Sequence, residues 1–319
     1  MTYSIVALDR ATGDLAVAVQ SKFLAVGAVV PWARAGVGAI ATQAFANAAY
    51  GPDGLALLEG GASAGSALDR LVTPDPLRDQ RQAGIIDAHG DAVTYTGAEC
   101  FAWAGGRTGP GFAAQGNILA GPGVVDGLAD TFAAGGWPFP ELLVACLAAA
   151  DAAGGDRRGR ESAALLVVRE AGGYGGGNDR WIDLRVDDHV EPIGELGRLL
   201  GLQRLYLDRP GLEDLLAVDE SVAAEVRALM SRLGAEQGGR FGGVYQSMSV
   251  FAGGEPPAED PEGRPMTGSP RPLPSNWDPE WQQALEDWMA VENLEERIAA
   301  PGWIDRRVLD FLREKAGSA

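Results

Sequence analysis

Thr2 stands directly behind the initiator methionine and opens a strand-like run, Thr2 to Leu8. Aminopeptidases remove Met1 when residue 2 is small, and threonine qualifies. Removal would leave a hydroxyl and a free α-amine on one residue. That is a nucleophile carrying its own base, suited to acyl transfer. Threonine is also an ordinary strand former, so the residue needs partners before it means anything. A second candidate nucleophile is Cys100, between Thr96-Gly97 and Trp103-Ala-Gly105, with no histidine near it in sequence to activate it. Cys146 lies in the apolar run Leu142 to Ala150 and reads as a small core hydrophobe.

Other chemistry-bearing residues read more plainly. His89 sits in the turn His89-Gly-Asp91. Asp187-Asp-His189 invites a metal, but three adjacent residues at a strand end cannot all face one ion. A solvated strand terminus is the expectation, and no metal or cofactor is expected. Gly172 to Gly177 lacks the Lys-Ser/Thr of a phosphate loop. Lysine occurs only at 22 and 315. Lys22 falls next to the second strand, and an ammonium, unlike a guanidinium, shifts its pKa when desolvated.

The elements that must position these residues begin at once. Thr2 to Leu8, Leu15 to Gln20, Ala25 to Trp32 and Val37 to Thr42 read as strands, the first two joined by a turn at Arg10 to Asp14. Helices are expected at Leu55 to Glu59 and Ala64 to Leu71, and Thr73-Pro-Asp-Pro76 ends the pair. Strands follow at Ala83 to Ala88 and Ala92 to Thr96, then a Gly-rich stretch of short strands and loops from Thr96 to Asn117. Val124 to Phe132 and the apolar Phe139 to Ala153 are helices, Ser162 to Val168 and Trp181 to Val186 strands, and Pro192 to Tyr206 a helix. Helix is expected from Leu212 to Leu233 and again from Trp277 to Lys315. Between them, about 252–276 is a Pro/Gly-rich acidic excursion. Strands and helices come in blocks rather than alternating, which predicts an α+β protein: antiparallel sheets with helices on the outer faces.

A chain of 319 residues with 46% hydrophobic content can bury a large core, and two domains are expected, 1–208 and 209–319. The formal net charge of −18 argues against nucleic-acid or anionic-membrane partners. No stretch of 18 or more uncharged apolar residues occurs, so a cytoplasmic protein is expected. Loop tryptophans and the apolar surface of a half-sandwich predict self-association, most simply a homodimer.

The runs TYSIVALD, VQSKFLAVGAVVPWA, GVGAIATQAFAN and YGPDGLALL, then TGAEC, AQGNILAG, GGDRRGRESAALLVV, GGYGG and DLRVDDH, carry a resemblance over residues 2 to about 205. Together they resemble an uncharacterised bacterial family of the N-terminal-nucleophile (Ntn) hydrolase superfamily. The stretch ALEDW to WIDRRVLDFLR resembles a small peptidoglycan-binding-like module. The resemblance implies a four-layer αββα sandwich and an amidohydrolase acting on a small amide or peptide-like bond. It places the nucleophile at Thr2 and a basic or polar neighbour at Ser21 or Lys22. Arg34 would lower the amine's pKa, and Asp156 would be a supporting carboxylate. Thr42 and Gln43 would lie at the oxyanion turn, and Gly116 and Asn117 beside the amine. Gln20 stands where a carboxylate is usual. Cys100 would line the same cleft. The alternative is a catalytically inactive Ntn-like scaffold that binds a small ligand or cell-wall peptide, its C-terminal tryptophans either stacking on it or forming a small core.

Overall fold

The first strand meets a partner on each side, and that pairing sets the architecture. A computed structural model describes residues 2–208, 210–234 and 274–318. The chain divides into two compact units, Met1–Leu200 and Gly201–Ala319, with the division inside a helix rather than at 208.

In the first unit, strands β1 (Thr2–Leu8) and β2 (Leu15–Ser21) form a hairpin. Gly13 supplies its turn with a φ of 81°, cheap only for glycine. Strands β3 (Pro31–Arg34) and β4 (Gly38–Ala44) follow, then helices α1 (Tyr50–Glu59) and α2 (Ala64–Val72). Strands β5 (Arg81–Asp87), β6 (Ala92–Thr96), β7 (Gly105–Gly109) and β8 (Phe112–Asn117) come next, and then α3 (Gly123–Ala134) and α4 (Phe139–Ala152). Strands β9 (Ser162–Val168) and β10 (Arg180–Val186) lead into α5 (Pro192–Leu207). One sheet runs β10-β9-β2-β1-β8-β7 and the other β3-β4-β5-β6, every pairing antiparallel.

Strand alternation sorts the core into layers. Tyr3, Ile5 and Ala7 of β1 pack with Leu143, Cys146 and Leu147 of α4 and with Leu128 of α3. Val6 and Leu8 point the other way, onto Ala39 and Ala41 of β4 and Ile86 of β5. The far side of the second sheet, Ile40, Ala83 and Ile85, closes on Leu55 of α1 and Leu68 of α2. The order through the unit is helices, sheet, sheet, helices. Cys146 is fully buried, and burial pushes its thiol up to about 12, as a core residue requires.

In the second unit, β11 (Leu215–Ala217) and α6 (Glu220–Arg232) precede α7 (Pro279–Val291), β12 (Trp303–Asp305) and α8 (Arg306–Ser318). Trp277, Trp288 and Trp303 are buried at 2%, 7% and 6% exposure, and Trp277 and Trp288 join one cluster with Leu285, Leu309 and Leu312. These three are buried, while Trp281 is half-buried against the same cluster. Arg297 and Asp305, each about 1% exposed, form a buried ion pair. The guanidinium also donates to the carbonyls of Arg204 and Leu205 at the end of α5, whose last turn leaves such acceptors open.

Three expectations fail locally. Of Ala25 to Trp32, only Pro31 and Trp32 are strand, as the start of β3. Val26–Ala28 forms a 3-10 turn, entered through Ala25 at a φ of 52°, with the Val26 N–H tied to the Ser162 hydroxyl. The stretches Leu212 to Leu233 and Trp277 to Lys315 each contain a three-residue strand, which pair with each other as β11 and β12. Such short strands exist only through that non-local pairing. Of the Pro/Gly-rich excursion, all but residues 274–276 lie outside the described residues.

Candidate functional site

Because β1 is an interior strand, its first residue lies between two neighbours. Thr2 pairs with Ser21 of β2 on one side and Asn117 of β8 on the other. Its Oγ1 is 3.1 Å from Ser21 Oγ, and either hydroxyl can donate. Thr2 is 5% exposed, and Ser21 and Asn117 are at 0% and 1%. The same alternation that sends Val6 between the sheets sends Thr2 and Ser4 there too.

Where those positions are polar, a chain of side-chain amides crosses from one sheet to the other. Gln115 Nε2 donates to Ser4 Oγ at 2.7 Å, and Ser4 donates to Gln43 Oε1 at 2.6 Å. Gln43 Nε2 and Asn117 Nδ2 each donate to Gln82 Oε1 at 2.8 Å. Gln82 Nε2 donates to the Gly116 carbonyl at 2.7 Å and to Thr96 Oγ1 at 2.9 Å. Gln43 also reaches the Thr2 carbonyl at 3.4 Å. Buried amides are tolerated when paired in this way, each unmade bond costing about 1–3 kcal/mol. A Cβ at Gly84 would lie 2.1 Å from Gln115 Oε1, so a side chain there would displace the Gln115 amide. Ser4 and Gln82 are site residues that sequence reasoning did not select, and Gln115 entered only through the run Gln115-Gly-Asn117. The signal was present as polar side chains at inward positions of otherwise apolar strands.

Asp156 belongs to the loop after α4, which runs beside the chain leaving β8. Ala120 N–H donates to Gly155 O, Leu119 bridges Asp156, and Arg157 N–H donates to Ile118 O. The buried carboxylate accepts from the Lys22 N–H at 3.0 Å and from the Arg158 N–H at 2.8 Å. It fixes the end of β2 next to Ser21. Lys22 contributes that N–H, while its ammonium pairs outward with Glu161 at 3.2 Å.

Several expected roles are corrected. Arg34 pairs with Glu59 of α1 and sits opposite Gly38, five residues along β4 from Gln43, or about 17 Å at strand rise. It cannot act on a Thr2 amine, and Gln43 holds the nearer position. The Thr42 N–H is committed to Val30 O and its hydroxyl donates to Asn47 O, so that amide is not an oxyanion donor. Gly116 is paired on both sides, with Tyr3 and Gly105, and its carbonyl accepts from Gln82. Gln20 pairs with Tyr3 and so faces the α3/α4 layer, away from the Thr2 side chain.

Asn117 opens onto a cleft of about 520 Å³ that Phe45, Cys100, Phe101, Ile118 and Arg158 also line. A neighbouring hollow of about 420 Å³ shares Phe101, Ile118 and Arg158 and adds Arg157. Ala44 and Ile118 on the cleft wall hold φ of 66° and 53°, and such strain in a β-branched residue persists where the surroundings over-determine it. Beneath Phe45, Arg81 pairs with Asp75 at 2.9 Å, and its guanidinium lies 5.0 Å from the Phe45 ring centroid and donates to the Phe45 carbonyl. Burial works to raise Asp75, but hydrogen bonds from Arg81, Leu77 N–H, Tyr50 and Asn47 outweigh it and hold the carboxyl well below the usual range. Burial raises the Cys100 thiol, and its Sγ donates to Arg81 O at 3.3 Å. This is an environment for a thiol rather than a reactive thiolate. His189 accepts from the Glu191 N–H at 3.0 Å, as a solvated strand terminus would. Among the described residues, no three metal-ligating side chains converge, and no helix is long and apolar enough to cross a membrane.

The first unit is thus an α+β protein of two antiparallel sheets, with a polar seam between them that ends at a cleft. Residues 2–196 match the model of a family of unknown function, DUF1028, and the chain belongs to that family. Residues 270–312 match a model described as "Putative peptidoglycan binding domain". Among solved structures the chain is similar to protein SPO2555 of Silicibacter pomeroyi, titled with the same family model. The two are 30% identical with a TM-score of 0.59, the match covering 64% of this chain and 89% of that one. No curated protein matches the chain.

Proposed function

We propose that the first unit is an Ntn-type αββα sandwich and an amidohydrolase, with Thr2 as nucleophile once Met1 is removed. What supports the reading above all is the place of Thr2. Its hydroxyl lies 3.1 Å from Ser21 Oγ at the head of the central strand, next to Asn117 on the cleft. A freed α-amine, with an ordinary pKa near 8, takes the hydroxyl proton. The oxygen then attacks the amide carbonyl, the amine product leaves with that proton, and water hydrolyses the ester. Asp156 acts at one remove, by holding the Lys22 backbone and so the Ser21 end of β2.

Intact mass and N-terminal sequencing of the native protein test the precondition. Loss of one methionine is expected, and a retained Met1 overturns the mechanism. Turnover of a panel of small amides is then expected to fall by roughly 10³-fold or more in Thr2→Ala, as when any nucleophile is removed. A second reading, a ligand-binding scaffold without chemistry, draws on the neutrality of the seam around Thr2: Ser21, Gln43, Gln82 and Asn117 are all uncharged types. Saturable binding without turnover in fully processed protein would favour it.

A further inference from the structure

The cleft has a charged end, and that end defines what it takes. Arg157 is exposed on the hollow next to Phe101 and Ile118, its Nη1 donating to Ala102 O at 3.2 Å. In a chain of net charge −18, most guanidiniums of the first unit have a carboxylate: Arg34 has Glu59, Arg107 has Asp126 and Asp130, Arg160 has Asp151 and Glu191. Among the described residues no carboxylate pairs with Arg157, and it lines the open hollow beside the cleft. Arg158 beside it is held by Asp156 at 3.3 Å, with its side chain still 46% exposed. Two aromatic rings stand in the same cleft, Phe45 at 61% and Phe101 at 74% exposure. Large apolar side chains left this open at a cavity are ready to be covered by a ligand. The one carboxylate in the lining, Glu99, accepts from Gln80 at 2.9 Å and belongs to the main cleft, not to the arginine hollow.

We infer that the cleft binds an N-acylated amino acid or the C-terminal residue of a short peptide. Its carboxylate pairs with Arg157 and its apolar side chain lies against Phe101 and Phe45. A guanidinium offers paired donors in the geometry of a carboxylate, and the surrounding negative field makes such a local cation necessary for an anionic ligand. The inference rests on the hydrolase reading for what happens to the bound amide, but not for the binding itself.

The test is calorimetric binding to the full chain carrying Thr2→Ala, which removes turnover from the readout. The probes are N-acetyl-phenylalanine and its carboxamide. The acid is expected to bind roughly ten-fold tighter than the carboxamide, the worth of a charge-assisted hydrogen bond. That preference is expected to disappear in Arg157→Gln and to return in part in Arg157→Lys. Phe101→Ala is expected to weaken both probes alike. Equal binding of acid and carboxamide, a preference that survives Arg157→Gln, or binding of neither probe overturns the inference. A carboxylate preference in a protein found to retain Met1 would sink the hydrolase mechanism and leave this site standing.

Discussion

At the scale of single residues, the site is set apart by where its charges are not. The cations that could tune an amine, Lys22 and Arg34, are spent on Glu161 and Glu59, and the groups around Thr2 are hydroxyls and amides. A deeply held ion pair, Asp75 with Arg81, lies under Phe45 at the cleft. Removing one member of a buried pair costs about 3–5 kcal/mol, because the other is left uncompensated. Asp75→Asn is therefore expected to lose that much stability in urea unfolding at neutral pH. Its sign with pH follows from the depressed carboxyl. The contribution is complete above the unfolded value near 3.9 and is lost as pH falls through the lower folded one. The gap between native protein and variant should thus be constant at neutral pH and narrow only in acid below about 4. A gap that narrowed on raising pH instead would contradict the assignment. Cys100, its thiol raised by burial, is expected to react slowly with iodoacetamide at pH 7, in a timed alkylation followed by mass spectrometry.

At the scale of elements, the polar seam exists because one strand position lacks a side chain. Gly84 of β5 faces Gln115 of β8, whose amide fills the space a Cβ would take. Gly84→Ala should push Gln115 off Ser4 and break the chain that ends at Gln43 and Asn117, at a cost of about 1–3 kcal/mol for overpacking. The added methyl has room once the longer side chain is gone. Gly84→Ala combined with Gln115→Ala should accordingly cost clearly less than the sum of the single changes, a coupling visible in a double-mutant cycle by denaturant unfolding. Strict additivity would show that the two residues do not compete for the space. Across the sheet on the helix side, Leu143→Ala in α4 removes a fully buried side chain, and a loss of about 2–5 kcal/mol is expected.

At the scale of the whole chain, what could be read from sequence divides by range. Thr2 to Leu8, Leu15 to Gln20 and the hairpin at His89-Gly-Asp91 were legible because apolar, β-branched runs and turn residues are local signals. So was the long apolar helix over Cys146. Which strand ends meet was not legible. Thr2 beside Asn117, which only the family resemblance placed there, and Asp156 on the Lys22 N–H join residues more than a hundred positions apart, and no window of sequence holds both. Arg34 had its role from the resemblance alone; the expected strand, Ala25 to Trp32, stopped short of it, whereas the strand that carries it runs from Pro31 to Arg34 after a turn. The pairing of β11 with β12 was missed because three residues carry no period. That small sheet makes the last expectation sharp. Asp305 ends β12, and its carboxylate holds Arg297, which in turn caps the carbonyls of Arg204 and Leu205. Asp305→Asn leaves that guanidinium buried and uncompensated, again about 3–5 kcal/mol. Hydrogen exchange read by mass spectrometry should show peptides of α6, α7 and α8 losing protection in this variant. Leu143→Ala should do the same for peptides of α3, α4 and β1, which share the other core. If Asp305→Asn left the α7 and α8 peptides as protected as before, the ion pair would not be holding the second core together.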